Sequence, residues 1–129
     1  MSTTANLGIA QIGQIAIPIQ DLDRAVAFYR DILGLPFLFQ APPGLAFFQC
    51  GEVRLMLSLP EGVDEPPRAT VLYYKVADLP GAYATLQARQ VKFIDEPHMI
   101  AKMADHELWM VFFRDSEDNL VALMSEVRV

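Results

Sequence analysis

The sequence predicts an α+β domain made of two tandem βαβββ units, and three observations predict it. Apolar residues alternate with period two in short runs and recur with helical period in two longer ones. The order strand, helix, three strands occurs twice along the chain. The second copy keeps a constant offset from the first: Asp21 and Asp78 are 57 positions apart (78 − 21), as are Leu22 and Leu79, and Ala25 and Ala82. A fixed offset held over several positions marks an internal duplication of a supersecondary unit.

In the first unit, Ile15, Ile17 and Ile19 fall on one face of Gly13 to Gln20, with Gln14, Ala16 and Pro18 on the other, which predicts a strand covered on its isoleucine face. Asp21 is placed to cap a helix in which Leu22, Ala25, Val26, Phe28, Tyr29, Ile32 and Leu33 recur at helical spacing until Gly34 ends it. Three extended pieces follow, Phe37 to Gln40, Leu45 to Cys50 and Val53 to Leu59. Ala41-Pro42-Pro43-Gly44 and Gly51-Glu52 supply the turn chemistry between them.

Pro60 to Arg68 holds three prolines, one glycine and three acids, has no periodicity, and reads as a linker. The second unit opens with a strand at Thr70 to Val76, then a helix capped by Asp78 and running from Leu79 to about Gln90. Strands are expected from Val91 to Ile94, near Trp109 to Arg114 and from Leu120 to Ser125. Asp115 to Asn119 forms a polar turn whose acids are expected in solvent. The predicted organisation is a flexible extension at 1–12 and one domain at 13–129, divided into a first module at 13–59, the linker at 60–68 and a second module at 69–129.

At 129 residues and 53% hydrophobic the chain is large enough for one core. Ten Lys and Arg against sixteen Asp and Glu leave a net charge of −6, which provides no basic footprint for nucleic acid. Apolar runs such as Leu108 to Phe113 fall far short of the roughly 20 residues that cross a bilayer, and Met1 to Gln11 lacks the pattern of a signal peptide. A cytoplasmic location, with no membrane or nucleic-acid partner, is therefore expected. The single cysteine, Cys50, excludes internal disulfides and paired-cysteine metal motifs; with only His98 and His106 besides, most of the familiar catalytic constellations cannot be assembled.

Three segments carry a resemblance: Ile15 through Leu35 (IAIPIQDLDRAVAFYRDILGL), Val76-Ala77-Asp78-Leu79, and Phe113 through Leu123 (FRDSEDNLVAL). Together they resemble the vicinal oxygen chelate superfamily, which holds glyoxalase I, extradiol dioxygenases, fosfomycin and bleomycin resistance proteins and methylmalonyl-CoA epimerase. The resemblance implies two βαβββ modules whose mixed sheets curl around a cavity, commonly in a homodimer. In members that use a divalent metal it also implies four ligands, one from the first and one from the last strand of each module. Carried onto this chain, those positions fall on Gln14, Val71, Met56 and Ala122. Valine and alanine have no donor atom and a thioether is a soft one, so the usual metal site is missing; no metal ligand and no cofactor are expected.

Residues two apart share a face of a sheet. With Gln14 inward, the cavity face collects Gln14, Ala16, Pro18, Arg54, Met56, Ser58, Val71, Tyr73, Lys75, Leu120, Ala122 and Met124. This mixture suits a partly apolar small molecule with a few polar anchors. Gln14, Arg54, Met56, Ser58, Tyr73, Ala122 and Met124 are the candidate ligand-binding residues, joined by Lys102 and by Trp109 as a stacking surface. His98 and His106 fall in an irregular stretch from Asp95 to Glu107 that would cover the cavity mouth, where either could act as catalytic acid or base. The leading expectation is a homodimeric protein that binds a small, partly apolar or aromatic molecule without the standard metal. The alternative is a glyoxalase-type lyase or isomerase that uses His98 or His106 for proton transfer, or a non-standard metal site. A third reading is an accessory dimer with no ligand.

Overall fold

The computed structural model describes residues 7, 8, 10–60 and 70–129. Residues 61–68 of the linker expected at 60–68, residue 69, and residues 1–6 and 9 of the expected extension lie outside the described residues. The first module runs β1 (Gln14–Pro18), α1 (Leu22–Ala27), a π-helical turn (Phe28–Ile32), β2 (Phe37–Ala41), β3 (Leu45–Cys50) and β4 (Val53–Ser58). The second runs β5 (Leu72–Lys75), α2 (Leu79–Ala88), β6 (His98–Lys102), β7 (His106–Arg114) and β8 (Leu120–Arg128). They form two four-stranded mixed sheets, in the orders β1-β4-β3-β2 and β5-β8-β7-β6. In each, the first strand pairs parallel with the last and the other pairs are antiparallel. The two sheets do not close on one another.

The duplication is repeated in the hydrogen bonds. Ala16 pairs with Met56 and Tyr73 with Ala122. The chain leaves each first strand by the same contact, Ile19 N–H to the Ser58 carbonyl at 3.1 Å and Val76 N–H to the Met124 carbonyl at 2.8 Å. Asp21 accepts from Arg24 N–H and Asp78 from Gly81 N–H, so both aspartates cap their helices. One face of each sheet is apolar, and both faces feed a single core in which Tyr29, Phe48, Leu57, Val111 and Phe113 are fully buried.

Several local expectations change. The helix expected through Leu33 is α-helical only to Ala27; it widens into a π turn whose last bond, Leu33 N–H to the Phe28 carbonyl at 3.0 Å, precedes Gly34 at φ +77°. Val91 to Ile94 forms no strand, only a bridge from Phe93 to Phe113, because the Asp95 carboxylate takes the Phe112 N–H at 2.8 Å and interrupts the ladder. The strand follows at His98. β8 continues to Arg128, which extends β7 back to His106, so the two histidines open strands and do not sit in an irregular covering loop.

The turn acids are corrected as well. Asp115 and Glu117 are buried, and both are held by the first module. Glu117 accepts from Gln20 N–H (2.7 Å), Asp21 N–H (2.8 Å), the Arg24 guanidinium (2.7 and 3.1 Å) and the Ser116 hydroxyl (2.9 Å). Asp115 accepts from the buried Tyr29 hydroxyl at 2.7 Å, from the N–H groups of Glu117 and Asn119, and from the Asn119 amide. A carboxylate with that many donors is stable out of water where an unpaired one is not.

Tyr74 is the exception to this pairing. Its hydroxyl is buried with no hydrogen-bond partner among the described residues. Leaving a hydroxyl unsatisfied costs free energy that its removal recovers. Tyr74→Phe is expected to leave stability unchanged or raise it by up to about 1 kcal/mol. A urea melt checks this, and a loss larger than that would reveal a partner for the hydroxyl.

Candidate functional site

The face of each sheet turned away from the core is the open one. In the first sheet the register places Gln14, Ala16 and Pro18 beside Arg54, Met56 and Ser58, which in turn face Gln49, Phe47 and Leu45. In the second it places Tyr73 and Lys75 beside Ala122 and Met124, and these beside Phe112 and Met110. The candidate residues Gln14, Arg54, Met56 and Ser58 therefore share one open face, and Tyr73, Ala122 and Met124 share the other.

Arg54 is the organising group of the first face. Its Nε–H donates to Gln14 Oε1 at 2.8 Å and its guanidinium carbon lies 5.4 Å from the Phe47 ring centroid, within cation–π range. The Gln14 amide in turn donates to the Met56 sulfur at 3.6 Å. Phe39 stacks on Phe47 with centroids 4.7 Å apart. A β-bulge between Phe37 and Phe39 produces this arrangement: Phe37 pairs with Phe48 on the core side, and Phe39 pairs with Phe47 on the open side. Strict alternation would have put Phe37 and Phe39 on one face.

On the second face Tyr73 meets Phe112 edge-on at 6.0 Å. Further along, Lys75 Nζ binds Glu126 Oε1 at 2.8 Å, and the ammonium holds that carboxyl below its usual range. The other Glu126 oxygen lies 3.7 Å from His106 Nε2, while His106 Nδ1–H donates to the Asp105 carboxylate at 2.7 Å. That hydrogen bond lowers the Asp105 pKa. Glu126 was missed because β8 was expected to end at Ser125; its place two and four residues beyond Met124 and Ala122 was the available signal.

The histidines share the open face but not a site. His98 pairs with Met110, four residues along β7 from His106, or roughly 13 Å at the rise of a strand. His98 Nδ1–H donates to the Glu96 carbonyl at 2.7 Å. Trp109 and Lys102 point elsewhere. Trp109 packs against the core and donates to Glu107 at 3.1 Å, and Lys102 pairs with Glu107 on that same side of the sheet. A second bulge, between Met99 and Ala101, sets the side of Lys102, and the even alternation of β7 sets that of Trp109.

The positions that the resemblance equates with metal ligands do not fit a divalent ion. Gln14 is committed to Arg54 and Met56, Met56 offers only its sulfur, and Ala122 is buried without a donor. Among the described residues no group of three or more His, Cys, Asp or Glu side chains is arranged to hold a metal. At the seam between β1 and β5 a cleft of about 260 Å³ opens, lined by Gln14, Ala16, Pro18, Thr70, Leu72 and Leu120 among others. Among the described residues no helix is long and apolar enough to cross a membrane.

A family model and solved structures agree on the fold. The family model of the Glyoxalase/Bleomycin resistance protein/Dioxygenase superfamily matches residues 11–123. An uncharacterized protein of Bacillus subtilis (strain 168), YraH, is 29% identical over 126 residues, which cover 85% of this chain and 94% of that protein. The lactoylglutathione lyase of Agrobacterium tumefaciens superposes with a TM-score of 0.74 at 24% identity, covering 92% of this chain and 95% of the other. TnmS3, an antibiotic binding protein from Streptomyces sp. CB03234, gives 0.76 at 21% identity, with 94% and 99% covered. One scaffold thus carries a lyase and a binding protein.

Proposed function

The chain belongs to the Glyoxalase/Bleomycin resistance protein/Dioxygenase superfamily, and from that premise we propose that it binds a small, partly apolar or aromatic molecule on its open sheet faces without the superfamily's usual metal. The observation that carries this reading is the cluster at the would-be ligand positions, where Gln14 serves Arg54 and Met56 and the open face presents an aromatic stack. The likeness to an antibiotic binding protein supports the ligand class. A second copy of the chain completes the site by covering the open faces, on which Phe39 and Tyr73 are each 47% exposed. The protein works as a cytoplasmic homodimer.

A thermal-shift screen of chelator-free protein against planar metabolites and antibiotics tests the reading. A ligand at one hundred times its Kd is expected to stabilise the fold by about 2.7 kcal/mol. Light scattering is expected to return twice the 14.4 kDa chain mass. Stoichiometric metal in the purified protein, or no shift with any compound, would overturn the reading.

A second reading has its own observation. His106 is held at Nδ1 by Asp105 and faces Glu126 through Nε2 on the open side, an arrangement suited to moving a proton. If the protein is a lyase or isomerase of this kind, His106→Gln abolishes turnover while ligand binding persists; unchanged turnover removes His106 from the chemistry.

A further inference from the structure

We propose that the open face of the first sheet is an anion-recognition site for a planar aromatic carboxylate, with Arg54 as the group that selects the charge. The inference rests on the binding reading above and specifies its ligand. Arg54 is the one charged side chain that β1, β3 and β4 place on this face: its neighbours by register are Gln14, Ala16, Pro18, Met56, Phe47 and Gln49. Four other cations are ion-paired, Arg24 with Glu117, Arg30 with Asp31, Lys75 with Glu126 and Arg114 with Asp118; Arg54 has no ion pair among the described residues and is the unpaired cation that stands on this face. A chain of net charge −6 has carboxylates to spare, and an arginine left without one on a half-apolar face is available to a ligand.

The guanidinium is also held in place before any ligand arrives. Gln14 takes its Nε–H and its central carbon lies over the Phe47 ring, 5.4 Å from the centroid, while the terminal Nη1 and Nη2 groups have no hydrogen-bond partner among the described residues. Two parallel N–H donors fixed at one end of a stacked aromatic pair match a carboxylate in the plane of an aromatic ring. The exposed Phe39 ring, stacked on the buried Phe47, supplies the apolar platform beside it. Holding the fork in advance lowers the entropy lost when an anion docks.

Isothermal titration with two matched pairs tests this, benzoate against benzamide and 2-naphthoate against 2-naphthamide, on wild type, Arg54→Met and Arg54→Lys. Each pair has nearly the same shape and differs in charge. Wild type is expected to bind each carboxylate at least tenfold more tightly than its amide, and Arg54→Met to bring that ratio close to one. Arg54→Lys restores only part of it, because an ammonium makes no fork. Equal affinity for acid and amide in wild type would overturn the anion site and leave the aromatic site standing. A carboxylate preference that survives Arg54→Met would also overturn it. Absence of binding by all four compounds would overturn this inference, while the broader reading stands or falls on the thermal-shift screen. Circular dichroism of the variants, which alter an exposed side chain, verifies that the fold is intact.

Discussion

Glu117→Gln is expected to cost roughly 2 kcal/mol of stability at pH 7 and to flatten the acid side of the stability curve. Burial alone would raise the Glu117 pKa. The Arg24 guanidinium, the N–H groups of Gln20 and Asp21 and the Ser116 hydroxyl outweigh it and bring the carboxyl from 4.5 down to about 2. A shift of that size corresponds to about 3 kcal/mol in full, and the half-exposed Arg24 partner reduces it through solvent screening. The folded-state value lies below the unfolded one, so the chain gains a proton on unfolding between them. The stabilisation is complete above pH 4.5 and is lost as pH falls toward 2. Urea denaturation of wild type and variant from pH 7 to pH 3 measures this, with the difference between them shrinking on acidification. A difference that stays constant with pH would mean that charge at Glu117 is not what holds the modules.

The second large effect lies in the core. Phe48 in the first module and Phe113 in the second are both 0% exposed and hold equivalent places, each beside the strand that pairs with its module's first strand. Phe→Ala at either position is expected to cost about 3–5 kcal/mol. Because one apolar cluster joins Phe48 and Leu57 to Val111 and Phe113 across the modules, each variant should shift a single calorimetric transition. Two separate transitions in Phe48→Ala, one displaced and one not, would show that the modules fold independently.

Much of the fold was legible because the sequence states it twice. The 57-residue offset between Asp21 and Asp78 is the distance between two real helix caps, and the alternation at Ile15, Ile17 and Ile19 identifies the face that β1 turns to the core. Features that depend on contact between distant residues left no periodic trace. A polar turn that grips another module looks, residue by residue, like a solvated turn, so the burial of Asp115 and Glu117 could not be read from local pattern. Histidine, glutamate and lysine interrupt the apolar alternation of β6 and β7, and strand pairing through Arg128 overrides them.

The candidate site divides the same way. Gln14, Arg54 and Met56 lie on straight, fully registered strands, where period two predicts the face correctly. Lys102 lies beyond the bulge in β6, where parity changes and sequence distance no longer gives direction, whereas Trp109 lies on the evenly registered β7, whose alternation with Val111 and Phe113 already places it on the core side. Phe39, which completes the stack over Phe47, depends on the corresponding irregularity in β2.

Those two irregularities act on solubility as well. β2 and β6 are each one of the two outer strands of their sheets, so each presents a row of backbone donors and acceptors with no strand beyond it among the described residues. In β2 that row runs through Phe37, Leu38 and Phe39, all exposed and all prone to pair with a similar segment of another molecule. A bulge breaks the even spacing on which such pairing depends. The extra residue that turns Phe39 toward the open face thereby also prevents β2 from templating a growing aggregate.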